Sequence, residues 1–461
     1  MNLKIKATKE KLPKQCVQVA FIEKGIESLK ETDGRCLLNI PSGKLAKITP
    51  RTLRTLVRSV VQTAKKHKLT NVAVPLSYRD FVKCQQYGET WFWSTIAENL
   101  ILANYEYTTY KSKQSKYALE EVSLVTDAGK NAKEGIARGT IVGASVNHCR
   151  DLANTPGGDM TPQILAECAR TLLKGPKTKV IVFDEKAIAK MQMGGLLGVG
   201  QGAKDKPRFI VIEYKGGKTG AAPIVFVGKG ITFDTGGLQV KPGMSMYEMH
   251  MDMSGGASVI SAIEAIQRLG LKQNVIGLIP AAENAVGDEA MRPGDVLKMM
   301  SGLTVDVLHT DAEGRLVLAD ALHYARKYKP KLVVDVATLT GAALVALGTH
   351  ANVIMTKKRS LEDRFRELGE ESGDYTFPLP LWNEYKQYTK GAHADIANIA
   401  AGDSRFGGSI NAGMFLSHFT KGLPWVHIDM APRMTSVASD KLAKGAAGEP
   451  VRLLVKIAES F

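Results

Sequence analysis

Residues 309–316, HTDAEGRL, set Asp311, Glu313 and Arg315 at alternate positions between the apolar-rich run LTVDVL and the helical pattern LVLADALHYA. Alternate residues of an extended segment share a face, so the spacing predicts two carboxylates and a guanidinium aimed the same way from the end of a buried strand. Two carboxylates held that close repel each other unless a cation sits between them. A solvated ion-pair patch is the commoner fate of such a triplet, and it stabilises a fold little. The rest of the chain decides between the two.

Three further stretches add charge. GKGITFDTGG (228–237) carries Lys229 and Asp234, KPG (241–243) carries Lys241, and MHMDMSGG (249–256) carries Asp252. With Asp311, Glu313 and Arg315 the set is four acids and three bases, several of them beside glycines that permit close backbone approach. Four carboxylates in one crevice need more counter-charge than three organic cations comfortably supply on burial. Divalent metals resolve the conflict. Oxygen donors and one amine, without imidazole or thiolate, suit Mg, Mn or Zn. Four acids exceed the need of one ion, so two carboxylate-bridged metals are expected, roughly 3.5–4 Å apart in sites of that type. A lysine joins such a set only when deprotonated.

The elements that must position these residues can be read from the pattern. From residue 163 onward, helical ILAECARTLLK, EKAIAKMQ, GGASVISAIEAIQRL and GRLVLADALHYARKY alternate with apolar strands KVIVFD, RFIVIEY, PIVFVGKG, NVIGLIPAAE and KLVVDVATL. That alternation predicts an α/β/α domain with a mostly parallel central sheet covered on both faces. Such sheets place their sites at the carboxyl ends of strands, where the charged residues fall. Residues 1–128 read as a smaller N-terminal α/β domain, with strands CVQVAFI and NVAVPL and a helix over 49–68. A connecting helix over 129–150 and the polar turn NTPGGDMTP then lead into the larger domain over 151–461.

Composition bounds the rest. The 461 residues are 44% hydrophobic and 23% charged, as in ordinary globular proteins. No apolar run is long enough to span a membrane, and the charged start MNLKIKATKEKLPK lacks an apolar core, so a cytoplasmic protein is expected. Cys16, Cys36, Cys84, Cys149 and Cys168 are odd in number and lack CxxC spacing, which argues against a disulfide framework or a thiolate zinc site. The charge is uneven: residues 1–150 hold 25 Lys and Arg against 13 Asp and Glu, a net +12 of the chain's +15. A basic segment of this kind can attract nucleic acid, which gives the second reading of the chain, although no nucleic-acid-binding motif accompanies the charge. A two-metal phosphoesterase is a third reading, but those sites normally add histidines. HExxH, GxSxG and a complete phosphate loop are missing: the GKT at 217–219 has Ile212 where the leading Gly belongs. GVGQG (198–202) reads as a turn.

GKGITFDTGG, KPG, MDMSGG, TDAEGRL and ATLTGA, in that order, resemble the leucyl aminopeptidase family, the cytosolic M17-type metallopeptidases. RDLANTPGGDMTP (150–162), GGSINAGMFL (407–416) and WVHIDMA (425–431) extend the resemblance over 136–461, and the N-terminal part follows more weakly. The resemblance implies an intracellular aminopeptidase that removes N-terminal residues from peptides by a two-metal mechanism. It implies Lys229, Asp234, Asp252, Asp311 and Glu313 as ligands to two divalent ions per subunit, and Lys241 and Arg315 as the catalytic pair. Arg315 would hold a bicarbonate acting as general base. Thr338, Leu339 and Gly341 would contact substrate through the backbone, Met249 would wall the side-chain pocket, and the assembly would be a homohexamer. One departure stands out: the family's usual residue before TDAEGRL is Asn, and here it is His309, which bears on a local hydrogen bond and not on the ligand set.

His250, His309, His323 and His427 read as packing or hydrogen-bonding residues, since carboxylates already fill the sites. Asp320 and Asp335 read as helix or strand-end hydrogen bonders. Of the methionines at 244, 246, 249, 251 and 253, only Met249 is assigned to the pocket.

Overall fold

The computed structural model describes residues 3–9, 16–32, 34–113, 119–126, 129–401 and 406–461. They form two compact units, Met1–Asn147 with Ser436–Gly445, and His148–Thr435 with Ala446–Phe461.

The first unit is a six-stranded sheet with helices. Its strands are β1 (Lys4–Thr8), β2 (Gln18–Ile22), β3 (Ser28–Thr32), β4 (Arg35–Pro41), β5 (Asn71–Pro75) and β6 (Glu121–Val125), in the order β1-β6-β5-β2-β4-β3. All pairings are parallel except β3 with β4. Helix α1 (Pro50–Lys66) starts where Thr49 and Thr52 exchange side-chain to backbone hydrogen bonds of 3.2 and 2.8 Å and Pro50 fills the first helical position. Its apolar stripe of Leu53, Leu56, Val57, Val60 and Ala64 is buried. Helix α2 (Glu89–Asn104) packs on the long helix α3 (Lys130–Asn154), whose glycines are explained by that approach: a Cβ on Gly139 would collide with the carbonyl of Ser94. The segment Ser436–Gly445 joins this unit through Arg58, which donates to the Asp440 carbonyl at 2.9 Å.

The second unit carries α4 (Pro162–Leu172), β7 (Thr178–Phe183), α5 (Glu185–Lys190), α6 (Gly194–Gly200), β8 (Arg208–Lys215), β9 (Ile224–Gly228), β10 (Gly230–Asp234) and α7 (Ser254–Leu269). It continues through β11 (Asn274–Asn284), β12 (Val296–Lys298), β13 (Thr304–Asp306), α8 (Gly314–Ala325), β14 (Leu332–Ala337), α9 (Gly341–Leu347) and β15 (Asn352–Met355). It closes with α10 (Arg359–Ser372), β16 (Thr376–Pro378), β17 (Ile396–Ala397), α11 (Gly408–Ser417), β18 (Trp425–Asp429) and α12 (Val451–Ser460). Its main sheet runs β16-β15-β18-β14-β9-β11-β8-β7, with β10 also on β11. The centre, β18-β14-β9-β11, is parallel, while β8, β7 and β15 join antiparallel.

Period-two alternation covers both faces. Val225 and Val227 of β9 share a buried cluster with Leu316 of α8 and Phe415 of α11. On the other face Gly277 of β11 leaves room for Val259 and Ile263 of α7. The chain is thus a mixed α/β protein with a smaller N-terminal unit and a large, centrally parallel sheet.

Two local expectations are corrected. HTDAEGRL is not extended: β13 ends at Asp306, residues 310–311 turn, and Arg315 already lies in the first turn of α8. The cause is Asn398, which accepts from the backbone of Leu308 and His309 at 2.8 and 3.3 Å and donates to the carbonyls of His309 and Ala312 at 2.7 and 3.3 Å, curling the segment around one amide. GVGQG is not simply a turn, since its first three residues complete α6. Buried Asp320 accepts from the backbone of Gly195 and Leu196 at 2.8 and 3.1 Å, satisfying first-turn donors of that short helix.

Candidate metal centre

Lys229 is held by backbone before its side chain does anything. Its N–H donates to Val336 of β14 at 3.0 Å and its carbonyl accepts from Gly256 of α7 at 2.7 Å, so the residue is pinned where β9 hands over to β10. Its buried ammonium lies 2.9 and 2.8 Å from the two oxygens of Asp252, 2.9 Å from Glu313 Oε1 and 3.1 Å from the Thr338 carbonyl. A Cβ on Gly314 would sit 2.5 Å from Lys229 Cε, which explains the glycine of TDAEGRL. Burial lowers the pKa of Lys229, but Asp252, Glu313 and Asp234 together outweigh it and hold the ammonium above the ordinary lysine range.

A second lysine sits opposite. Lys241 Nζ lies 2.7 Å from Asp234 Oδ2 and also meets Asp311. Asp234, at the end of β10, accepts through Oδ1 from Gly236 N–H at 2.9 Å and from Asn284 Nδ2 at 2.8 Å. Thr338 donates to Asp252 Oδ1 at 2.7 Å. One oxygen each from Asp234, Asp252 and Glu313 lies within 4.8 Å of the others, and all three residues are buried.

That crowding has an electrostatic price. Burial, with Glu313 and Asp234 adding to it against Lys229, pushes Asp252 up to about 8. Burial, with Asp234 and Glu313, pushes Asp311 up to about 7, and Glu313 also rises, chiefly through burial. Burial pulls Arg315 down to about 10 although Glu313 and Asp429 oppose it. Asp234 moves the other way: burial raises it, and Lys241 and Lys229 together outweigh that. Asp252 Oδ2, Asp311 Oδ1 and Glu313 Oε1 are buried without a directed hydrogen bond and are faced by lysine ammonium groups instead. Orphaned anionic oxygens around a shared space are the donor chemistry that hard or borderline divalent cations take.

A cavity of about 620 Å³ opens over these groups. All eleven residues singled out in the sequence line it: Lys229, Asp234, Lys241, Met249, Asp252, Asp311, Glu313, Arg315, Thr338, Leu339 and Gly341. Of His250, His309, His323 and His427, only His309 lines it too, and its Nδ1 accepts from the Asp311 N–H at 3.2 Å. Asn at that position would make the same residue-to-residue-plus-two bond, so the histidine keeps the local turn. The structure adds residues the sequence did not yield. Asn284 braces Asp234 and the Thr310 carbonyl, the latter at 3.1 Å, and Asn398 accepts from Arg315 through its carbonyl at 2.6 Å. Asp429 accepts from Leu339 N–H at 3.1 Å and from the Thr340 hydroxyl at 2.7 Å, fixing the loop after β14. Ile399, Asn411 and Met434 also line the cavity. Asp429 had a signal, inside WVHIDMA; the asparagines are isolated polar residues whose partners lie far along the chain.

Comparison with known proteins decides the family. Residues 147–455 match the family model "Cytosol aminopeptidase family, catalytic domain", and residues 31–114 match its N-terminal domain. The chain belongs to the cytosol aminopeptidase family. A probable cytosol aminopeptidase of Paraburkholderia phymatum is 44% identical over 370 residues, 79% of this chain and 72% of the relative. One from Bdellovibrio bacteriovorus is 39% identical over 435 residues, 93% and 86% of the two chains. Among solved structures, the bottromycin maturation enzyme BotP in complex with Mn superposes with TM-score 0.85 at 29% identity, covering 97% of this chain and 99% of that one. A tomato leucine aminopeptidase mutant gives TM-score 0.89 at 26% identity, covering 100% and 97%. This cytosol aminopeptidase family member is a metallo-exopeptidase acting on peptides, and the nucleic-acid reading of its basic N-terminal segment gains no support. No helix among the described residues is long and apolar enough to cross a membrane.

Proposed function

We propose that the enzyme removes N-terminal residues from peptides with two divalent ions per subunit, held by Lys229, Asp234, Asp252, Asp311 and Glu313. The observation that carries this reading is the set of buried carboxylate oxygens of Asp234, Asp252 and Glu313 within 4.8 Å of one another, too crowded to ionise together without cations. The donor set fits Mn, Zn or Mg, and the complex of BotP with Mn supports the first. When bound, such ions supply Lewis acidity and lower the pKa of water.

The chain's own residues do the rest. With dications in place of its proton, Lys229 would join the ligands as a neutral amine. Lys241 presents its ammonium to the developing oxyanion. Arg315, anchored through Asn398, offers a planar fork that would hold bicarbonate, and that anion would supply a general base. The backbone of Thr338, Leu339 and Gly341, fixed by Asp429, aligns the peptide, and Met249 walls the side-chain pocket. Chemistry is confined to the catalytic domain over 151–461; the helix over 129–150 connects it to a non-catalytic domain over 1–128. The working assembly is a cytoplasmic homohexamer.

Hydrolysis of a panel of aminoacyl amides by protein reloaded separately with Zn, Mn and Mg tests this. Turnover must appear only with metal and only on substrates with a free α-amine. Equal turnover of N-acetylated substrates, or turnover surviving exhaustive chelation, would refute it.

A further inference from the structure

A second cavity, of about 580 Å³, lies in the catalytic unit away from the metal centre. Its wall includes Trp425, which pairs with Val333 at the amino end of β14, whereas the metal centre follows the carboxyl end of the same strand at Thr338. The two are separated by about 15 Å along the strand. Four lysines face this cavity, Lys357, Lys358, Lys386 and Lys421, together with His418.

Among the described residues, none of these ammonium groups is paired with a carboxylate. The first acids along α10, Glu362 and Asp363, face Arg359 at 3.7 and 3.4 Å. Helix α10, fourteen residues long, begins beside Lys357 and Lys358, and no side chain caps its first turn. Its positive end therefore adds to the lysines. Burial, with the neighbouring Lys386 adding to it, depresses Lys357, and burial with Lys386 and Lys357 depresses His418. The His418 ring is oriented by Thr389 at 2.9 Å.

We infer that this basic cavity is an anion site for small phosphate-bearing ligands. Several ammonium groups around one concavity match the three acceptor oxygens of a phosphate, and lysine serves as a point charge in such sites. The site is independent of the two metals, and its residues take no part in peptide hydrolysis.

Hydrogen exchange of the manganese-loaded enzyme, titrated with inorganic phosphate against sodium chloride of equal ionic strength, tests it. Phosphate must slow exchange in 356–361 and 417–423, by about tenfold when its concentration is about ten times the dissociation constant. In Lys357→Gln/Lys386→Gln the titration midpoint must rise by about tenfold or more, with turnover of an aminoacyl amide unchanged. Two results overturn the inference. One is equal protection by chloride; the other is phosphate protection that the double substitution leaves intact.

Discussion

Asn284 donates its amide to Asp234 Oδ1 at 2.8 Å and, with the same nitrogen, to the Thr310 carbonyl at 3.1 Å. One side chain at the end of β11 thereby aims an acid of β10 and braces the turn that carries Asp311. Outer partners of this kind typically govern metal affinity by 10–100-fold. Asn284→Ala is expected to weaken metal binding by about that factor, read by titrating metal back into chelated enzyme, while saturating metal restores most of the turnover. Unchanged affinity would mean that Asp234 needs no brace.

Lys241 has a different duty. Its ammonium sits between Asp234 and Asp311 at the cavity wall, whereas the Lys229 ammonium also reaches the Thr338 carbonyl. Lys241→Ala is expected to lower kcat by about 10²–10³ with little change in KM, because a donor aimed at a developing oxyanion acts in the transition state. Steady-state kinetics on an aminoacyl amide with saturating metal separates this from a loss of substrate binding.

His309 accepts the Asp311 N–H through Nδ1. His309→Asn, which can make the same turn, is expected to keep turnover and stability near the parent. His309→Leu leaves that N–H without its side-chain partner and is expected to cost about 1 kcal/mol, measurable by chemical denaturation.

The fully buried pair His427 and Asp335, 2.6 Å apart, gives the fold a pH dependence. Burial would lower the imidazole pKa, but Asp335, with Asp429 adding, holds it above the ordinary 6.5. A raised folded pKa means that the stabilisation is fully present below 6.5 and is lost as pH climbs through the folded value. Denaturation at about pH 6 and about pH 9 is expected to show the parent losing stability with rising pH and His427→Gln losing less. Parallel pH profiles would contradict the assignment.

Much of this was legible in the sequence because the chemistry is local to strand ends. GKGITFD, MDMSGG and TDAEGRL each carry their acids beside glycines that the structure uses for close approach, as Gly314 does for Lys229. Apolar runs such as PIVFVG announced buried strands, and β9 is buried along its whole length. What was not legible depends on distant partners. Alternation in HTDAEGRL suggested a strand, yet Asn398, far along the chain, wraps the segment into a turn. The helical start of GVGQG likewise rests on Asp320 reaching back to α6. Nor did periodicity separate parallel from antiparallel neighbours, so β8 and β15 gave no sign of their direction.

The central claim is that Lys229, Asp234, Asp252, Asp311 and Glu313 tolerate one another because divalent ions lie among them. Anomalous scattering from crystals of the manganese-loaded enzyme, collected on both sides of the metal edge, measures this directly. Two peaks in contact with these five side chains are the predicted result. An empty map beside Asp252 and Glu313 in catalytically active crystals, or peaks confined to other parts of the molecule, would contradict it.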